Sequence, residues 1–181
     1  MYSEDDVIGV TGPDGQETIF FPNGDRYNGR FKDDCFHGYG EYTWVNGNEY
    51  KGYFYENEMH GKGVLTKKNG ECYVGELLNG MFDGRGRYTW NNGDVYEGRF
   101  QKNEMHGQGV LTKKNGRRYD GEFKDGMCHG RGILTLGDRT IHEGIFEDDV
   151  PNGYGHEDSG TRHPEGVRKM PERKCKRKTY T

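Results

Sequence analysis

The residues best suited to chemistry are four histidines, His37, His60, His106 and His129, each in the same context, His-Gly-x-Gly. A row of imidazoles suggests metal binding or proton transfer, and one place in the row is taken by Asp83. Zinc needs its ligand atoms at ~2.0 to 2.1 Å in a closed shell. If the chain between successive members folds as two strands, their backbones stand ~9 to 10 Å apart, so the row reads as a structural position, a loop residue bonding nearby backbone. The four cysteines (Cys35, Cys72, Cys128, Cys175) are dispersed and form no Cys-x-x-Cys, which fits free thiols in a reducing compartment better than a disulfide framework or a zinc site. Ser3 and Ser159 are the only serines, and both lie outside the patterned part of the chain. The Gly-x-Gly pairs lack the third glycine of a dinucleotide loop, and no Gly-x4-Gly-Lys-[Ser/Thr] occurs. No catalytic set, metal site or cofactor is expected, and the chain does not read as an enzyme.

The elements that hold this row belong to a unit that recurs every 23 residues. Its first position is Tyr27, Tyr50, Tyr73, Tyr96, Tyr119 and His142; two residues on come Gly29, Gly52, Gly75, Gly98, Gly121 and Gly144. The next alternate position is Phe31, Phe54, Leu77, Phe100, Phe123 and Phe146. Such self-similarity marks a repeat array, in which each unit buries surface only against its neighbours. The expected organisation is an acidic segment over 1–14, an array over 15–155 that opens with a half unit, and a basic, disordered tail over 156–181.

Tyr-x-Gly-x-Phe alternates with period 2 and places Tyr, Gly and Phe on one face of a strand; Tyr42-Thr43-Trp44 does the same in a second. Asn-Gly follows at Asn23-Gly24, Asn46-Gly47, Asn69-Gly70, Asn92-Gly93 and Asn115-Gly116, and it predicts type I′ hairpin turns. The fold class is therefore all-β, a single-layer antiparallel meander of about twelve strands and roughly 55 to 60 Å. The central glycine of each Tyr-Gly-Phe triplet is expected to leave room for a neighbouring ring, and His-Gly-x-Gly to end a longer loop on the other edge. A second period of 46 residues sets Tyr42, Trp44, Tyr88 and Trp90 where the alternate units have Leu65, Lys67, Leu111 and Lys113.

Only 30% of the residues are hydrophobic, but 13% are aromatic and the 31 glycines are periodic, which separates this chain from a flexible linker. The start, Met1 to Asp6, lacks the basic and apolar regions of a signal peptide, and no apolar run approaches the ~20 residues that span a bilayer. The chain reads as cytoplasmic. Net charge is −4, divided between a basic tail and an acidic array. The run Arg173, Lys174, Lys176, Arg177, Lys178 reads either as a solvated basic segment or as a contact for anionic lipid, acidic tubulin tails or an import receptor; base-reading motifs are absent, so nucleic acid is not expected.

The pattern Tyr-x-Gly-x-Phe, His-Gly-x-Gly and a later Gly at this spacing resembles the MORN repeat (membrane occupation and recognition nexus) over residues 15–155, departing at Leu77, Asp83 and throughout the sixth unit. The resemblance implies an elongated, curved meander whose groove holds a partner helix, in scaffold proteins of cytoskeletal, ciliary (axonemal) or membrane-associated assemblies. The aromatic face then has two readings: its rings pack only on one another, or they line that groove. On the second reading the partner-binding residues are Tyr42, Trp44, Tyr50, Phe54, Tyr73, Tyr88, Trp90, Tyr96, Phe100 and Tyr119. The alternative function is a peripheral membrane adaptor that binds anionic phospholipid through repeats and tail. The sequence does not indicate an oligomeric state.

Overall fold

The computed structural model describes residues 8–11, 16–152 and 156–157. They form one fifteen-stranded antiparallel sheet in which each strand pairs with the next in chain order, except that β15 returns to β13. The strands are β1 (Ile8–Thr11), β2 (Glu17–Phe20), β3 (Arg26–Lys32), β4 (Cys35–Thr43), β5 (Glu49–Tyr55), β6 (Glu58–Thr66), β7 (Cys72–Leu78) and β8 (Met81–Thr89). They continue as β9 (Val95–Gln101), β10 (Glu104–Thr112), β11 (Arg118–Lys124), β12 (Met127–Thr135), β13 (Ile141–Glu147), β14 (Val150–Pro151) and β15 (His156–Glu157). β2 to β13 are the strands that the repeat register predicts. β1 adds a strand from the acidic segment, and β15 carries pairing past residue 155.

The two edges of the sheet turn in ways opposite to the sequence expectation. At Asn-Gly, the Gly24 N–H donates to the Phe21 carbonyl (2.9 Å) and the Phe21 N–H to the Asp25 carbonyl (3.0 Å). Gly24 has φ +90° while Asn23 is not in the left-handed region. That is a type I turn closed by a left-handed glycine, not a type I′ turn. The asparagine is there for its side chain: Asn23 Oδ1 accepts the Asp25 N–H (3.0 Å), and Asn46, Asn69, Asn92 and Asn115 repeat the bond. The type I′ geometry lies on the other edge, in the two-residue turns Asp33-Asp34, Glu56-Asn57, Asn79-Gly80, Lys102-Asn103, Asp125-Gly126 and Asp148-Asp149, where both residues have positive φ. No longer loop exists there. His-Gly-x-Gly instead lies inside the following strand, at a bulge where the register shifts.

The core is built on a ladder of glycines. Cross-strand pairs run Gly29–Gly40–Gly52–Gly63–Gly75–Gly86 and on through Gly98–Gly109–Gly121–Gly132–Gly144, one glycine from each strand from β3 to β13. Without Cβ atoms this row is a trough, and the tyrosine rings lie in it. From Gly29 to Gly132 each ring covers two glycines of its own unit, the one two residues later in its own strand and the one paired with it on the next strand, rather than a glycine of a neighbouring unit. A Cβ on Gly86 would meet the Tyr73 hydroxyl at 2.5 Å and its ring at 2.6 Å, and one on Gly40 would meet the Tyr27 hydroxyl at 2.6 Å. Each hydroxyl donates to the carbonyl three residues on, beside the register shift: Tyr27 to Arg30 (2.9 Å), Tyr50 to Tyr53 (3.0 Å), Tyr73 to Glu76 (2.6 Å), Tyr96 to Arg99 (2.9 Å) and Tyr119 to Glu122 (3.1 Å). A tyrosine can be fully buried only with its O–H satisfied. Tyr27, Tyr50, Tyr73 and Tyr96 have 0% exposure.

Candidate functional site

The histidine row lies in strands, not in loops. His37 and His60 flank Tyr55, with ring centroids 5.5 and 5.7 Å away. His106 Nδ1 is 4.0 Å from Asp125 and His129 Nδ1 is 3.7 Å from Asp148. Nδ1 of His60 and of His129 has no hydrogen-bond partner among the described residues, so the expected bonds to nearby backbone are not what holds them. Among the described residues no three potential metal ligands cluster.

The aromatic candidates divide by depth. Tyr50, Tyr73 and Tyr96 are fully buried, and Phe54, Tyr88, Phe100 and Tyr119 nearly so. In this structure these side chains are packing. Tyr96 meets Phe100 and Phe123 edge to face at 5.1 and 4.9 Å, the geometry that contributes about 0.5 to 1.5 kcal/mol per pair beyond burial. Tyr42, Trp44 and Trp90 are half-buried and pack against the core, so part of each ring reaches the surface. Beside them stands a column absent from the expected site: Phe36, Met59, Phe82 and Met105, nine residues after Tyr27, Tyr50, Tyr73 and Tyr96, with Cys128 in the same place after Tyr119. Phe36 and Phe82 stack on Tyr27 and Tyr73 at 3.9 and 3.8 Å, with Met59 and Met105 at the equivalent places of the alternate units. These side chains cover the buried tyrosines and, with Leu65, Leu111 and Leu134, make a half-buried apolar strip across the tyrosine face. The signal was in the sequence as an apolar residue in the same column of successive units.

One margin of this strip is set by three carboxylates beside the Asn-Gly turns, each of which takes a donor from the next unit. Asp25 accepts from the Val45 N–H, the Tyr42 hydroxyl and the Asn23 amide, each at 2.8 Å. Burial pushes the Asp25 carboxyl up, but these donors outweigh it and hold it below the ordinary carboxylate range. Glu71 takes the Tyr88 hydroxyl (2.7 Å) and Lys67 Nζ (3.0 Å); Asp94 takes Lys113 Nζ (2.9 Å) and the Lys114 N–H (2.9 Å). Both are depressed on the same balance of burial against donors. The alternation of aromatics and lysines therefore has a geometry: Lys67 stands 5.8 Å from the Tyr88 ring centre and Lys113 5.9 Å from that of Trp90.

The fold, the ladder and the tyrosine register all follow one unit, and the MORN repeat model matches it at residues 27–49, 50–72, 73–95, 96–117, 119–141 and 142–162. The chain belongs to the MORN repeat family. In the MORN array the matched units begin at the ladder tyrosines and, last, at His142. No curated protein matches the chain. Among solved structures, the TCP10 domain of CPAP from Danio rerio is similar at 17% identity, over 83% of this chain and 71% of that one, with a TM-score of 0.47. The TCP10c domain of Drosophila melanogaster Sas-4 is similar at 13% identity, over 78% and 99%, with a TM-score of 0.38. At these scores the likeness carries no argument about partner or role. The basic run Arg173, Lys174, Lys176, Arg177, Lys178 lies outside the described residues, as do residues 1–7.

Proposed function

We propose that this MORN array is a non-catalytic scaffold that binds an amphipathic helix of a partner protein along the apolar strip of its tyrosine face. The observation that carries the reading is the strip itself: Trp44, Met59, Phe82, Trp90 and Met105 remain half-buried in successive units while the rings beneath them are sealed. Apolar surface continuous along one face suits an interface. A helix laid across the strands fits the period. One unit advances by two strands, about 9.6 Å, and seven helical residues rise about 10.5 Å, so anchors seven apart can meet equivalent side chains of successive units. Large aromatics dominate such contacts. The setting proposed is a cytoskeletal or ciliary assembly in the cytoplasm, supported by the family resemblance.

The test is to recover partners by proximity labelling in cells, synthesise their amphipathic helices and titrate them by calorimetry against the wild type and a Trp44→Ala/Trp90→Ala variant. The expected result is at least a tenfold loss of affinity in a variant that still unfolds cooperatively, at a lower urea midpoint because both rings pack against the core. A folded double variant that binds every recovered helix as tightly as the wild type would overturn the reading.

A further inference from the structure

Each junction between units is centred on a pair of ladder glycines, and four side chains stand around that pair on the face opposite the tyrosines. At the first junction these are Tyr39 opposite Tyr53 and Glu41 opposite Lys51. The rings pack edge to face at 5.8 Å and the charges pair at 3.5 Å. At the third junction, 46 residues on, Arg87 and Glu97 pair at 2.8 Å in the place of the first ion pair, while Arg85 faces Arg99 in the place of the tyrosines. Neither guanidinium, of Arg85 or of Arg99, has a hydrogen bond or ion pair among the described residues, although the Arg85 backbone N–H donates to Glu76 Oε2 (2.7 Å). The four side chains, with Val74 and Gln108, line a shallow depression of about 490 Å³ whose floor is the Gly86–Gly98 backbone.

Like charges directly opposite one another on a sheet are destabilising. At the other junctions the same places hold Lys62 opposite Glu76, Gln108 opposite Glu122, and Arg131 opposite Ile145, so the guanidinium pair is peculiar to the third. It stands in an array whose residues 1–155 carry a net charge of −8. We propose that this junction docks an acidic segment of a partner protein, with a carboxylate held between Arg85 and Arg99 over the Gly86–Gly98 backbone. Two guanidinium forks across one strand pair are suited to bidentate capture of a carboxylate. The array as a whole is net acidic, which opposes docking of the same segment over most of its surface. The site uses the face opposite the helix-binding strip and stands or falls independently of it.

The probe is a fluorescein-labelled synthetic peptide of alternating glutamate and alanine, read by anisotropy in low salt, where exposed charges are least screened. The wild type is expected to bind it, and Arg85→Gln/Arg99→Gln to weaken binding at least tenfold while melting no lower than the wild type, since a repulsion has been removed. Lys124→Gln, an exposed charge elsewhere on the array, and Trp44→Ala/Trp90→Ala should both leave it unchanged. Failure of the wild type to bind, or an equal loss in Lys124→Gln, would overturn the proposal. So would binding of phosphatidylserine vesicles through these arginines while the peptide is ignored, which would make the site a membrane contact.

Discussion

The first strands of the third unit and the sixth, β7 and β13, are equivalent seven-residue strands and differ in what lies on them. In the third, Tyr73 is fully buried, its hydroxyl bonds the Glu76 carbonyl at 2.6 Å, and its ring lies between Phe82 at 3.8 Å and Phe100 at 5.2 Å. In the sixth, His142 takes the tyrosine's place, and a Cβ on Gly144 would meet nothing within 4 Å. Yet Gly144 still pairs with Gly132, and His142 with Leu134. Strand pairing therefore extends further than the aromatic packing does. A ladder glycine is obligatory only where a ring covers it, and the sixth unit ends the core while the sheet continues.

The largest expected effect acts on every ring at once. Burial pushes the Tyr27 phenol up to about 12, and raises Tyr50, Tyr73, Tyr96 and Tyr119 further. The fold thus favours the neutral phenol, so its contribution is complete below the ordinary value of about 10 and is lost as pH rises through the folded values. Urea melts should show stability falling steeply above pH ~10, and by less in Tyr96→Phe; a flat profile there would contradict the burial of these hydroxyls. Next in size is Gly75→Val. A side chain there would collide with the Tyr73 hydroxyl and the Gly86 Cα, both at 2.5 Å, and the expected cost is roughly 2 to 4 kcal/mol. Gly144→Val should cost under about 1 kcal/mol, and equal losses would erase the contrast between the units. The smallest is a gain: His142→Tyr places a ring over the open glycine and should stabilise by about 0.5 to 1 kcal/mol. No gain would mean that the sixth unit cannot seat a ring.

Much of this fold was legible because its signals are periodic. The repeat set the strand count from β2 to β13, the face of each side chain, and the requirement for glycine opposite an aromatic ring. Turn type was not legible, because asparagine serves two purposes that leave the same dipeptide. In Asn69-Gly70 it accepts an N–H through its side chain, and in Asn79-Gly80 it takes up a left-handed backbone. His-Gly-x-Gly was misplaced for a related reason, since a glycine at positive φ fits a loop and a bulge equally, and only the pairing distinguishes them. The site was half legible. Alternation identifies the aromatic face but not the depth of a residue on it, so Tyr96 and Trp90 look alike in sequence. Depth is decided by Phe36, Met59, Phe82 and Met105, which reach over the tyrosines from the next strand.

The central claim is that tyrosine rings lying in the glycine ladder hold this single-layer sheet together. A double-mutant cycle between Tyr73→Leu and Gly86→Ala tests it most directly, because the nearest atoms to a Cβ on Gly86 all belong to the Tyr73 side chain, at 2.5 to 2.7 Å. In the wild-type background Gly86→Ala should cost about 2 kcal/mol or more by urea denaturation, and in the Tyr73→Leu background under about 1 kcal/mol, a coupling of at least about 1 kcal/mol. Strictly additive losses would mean that the ring does not occupy the space the glycine leaves, and would contradict the account.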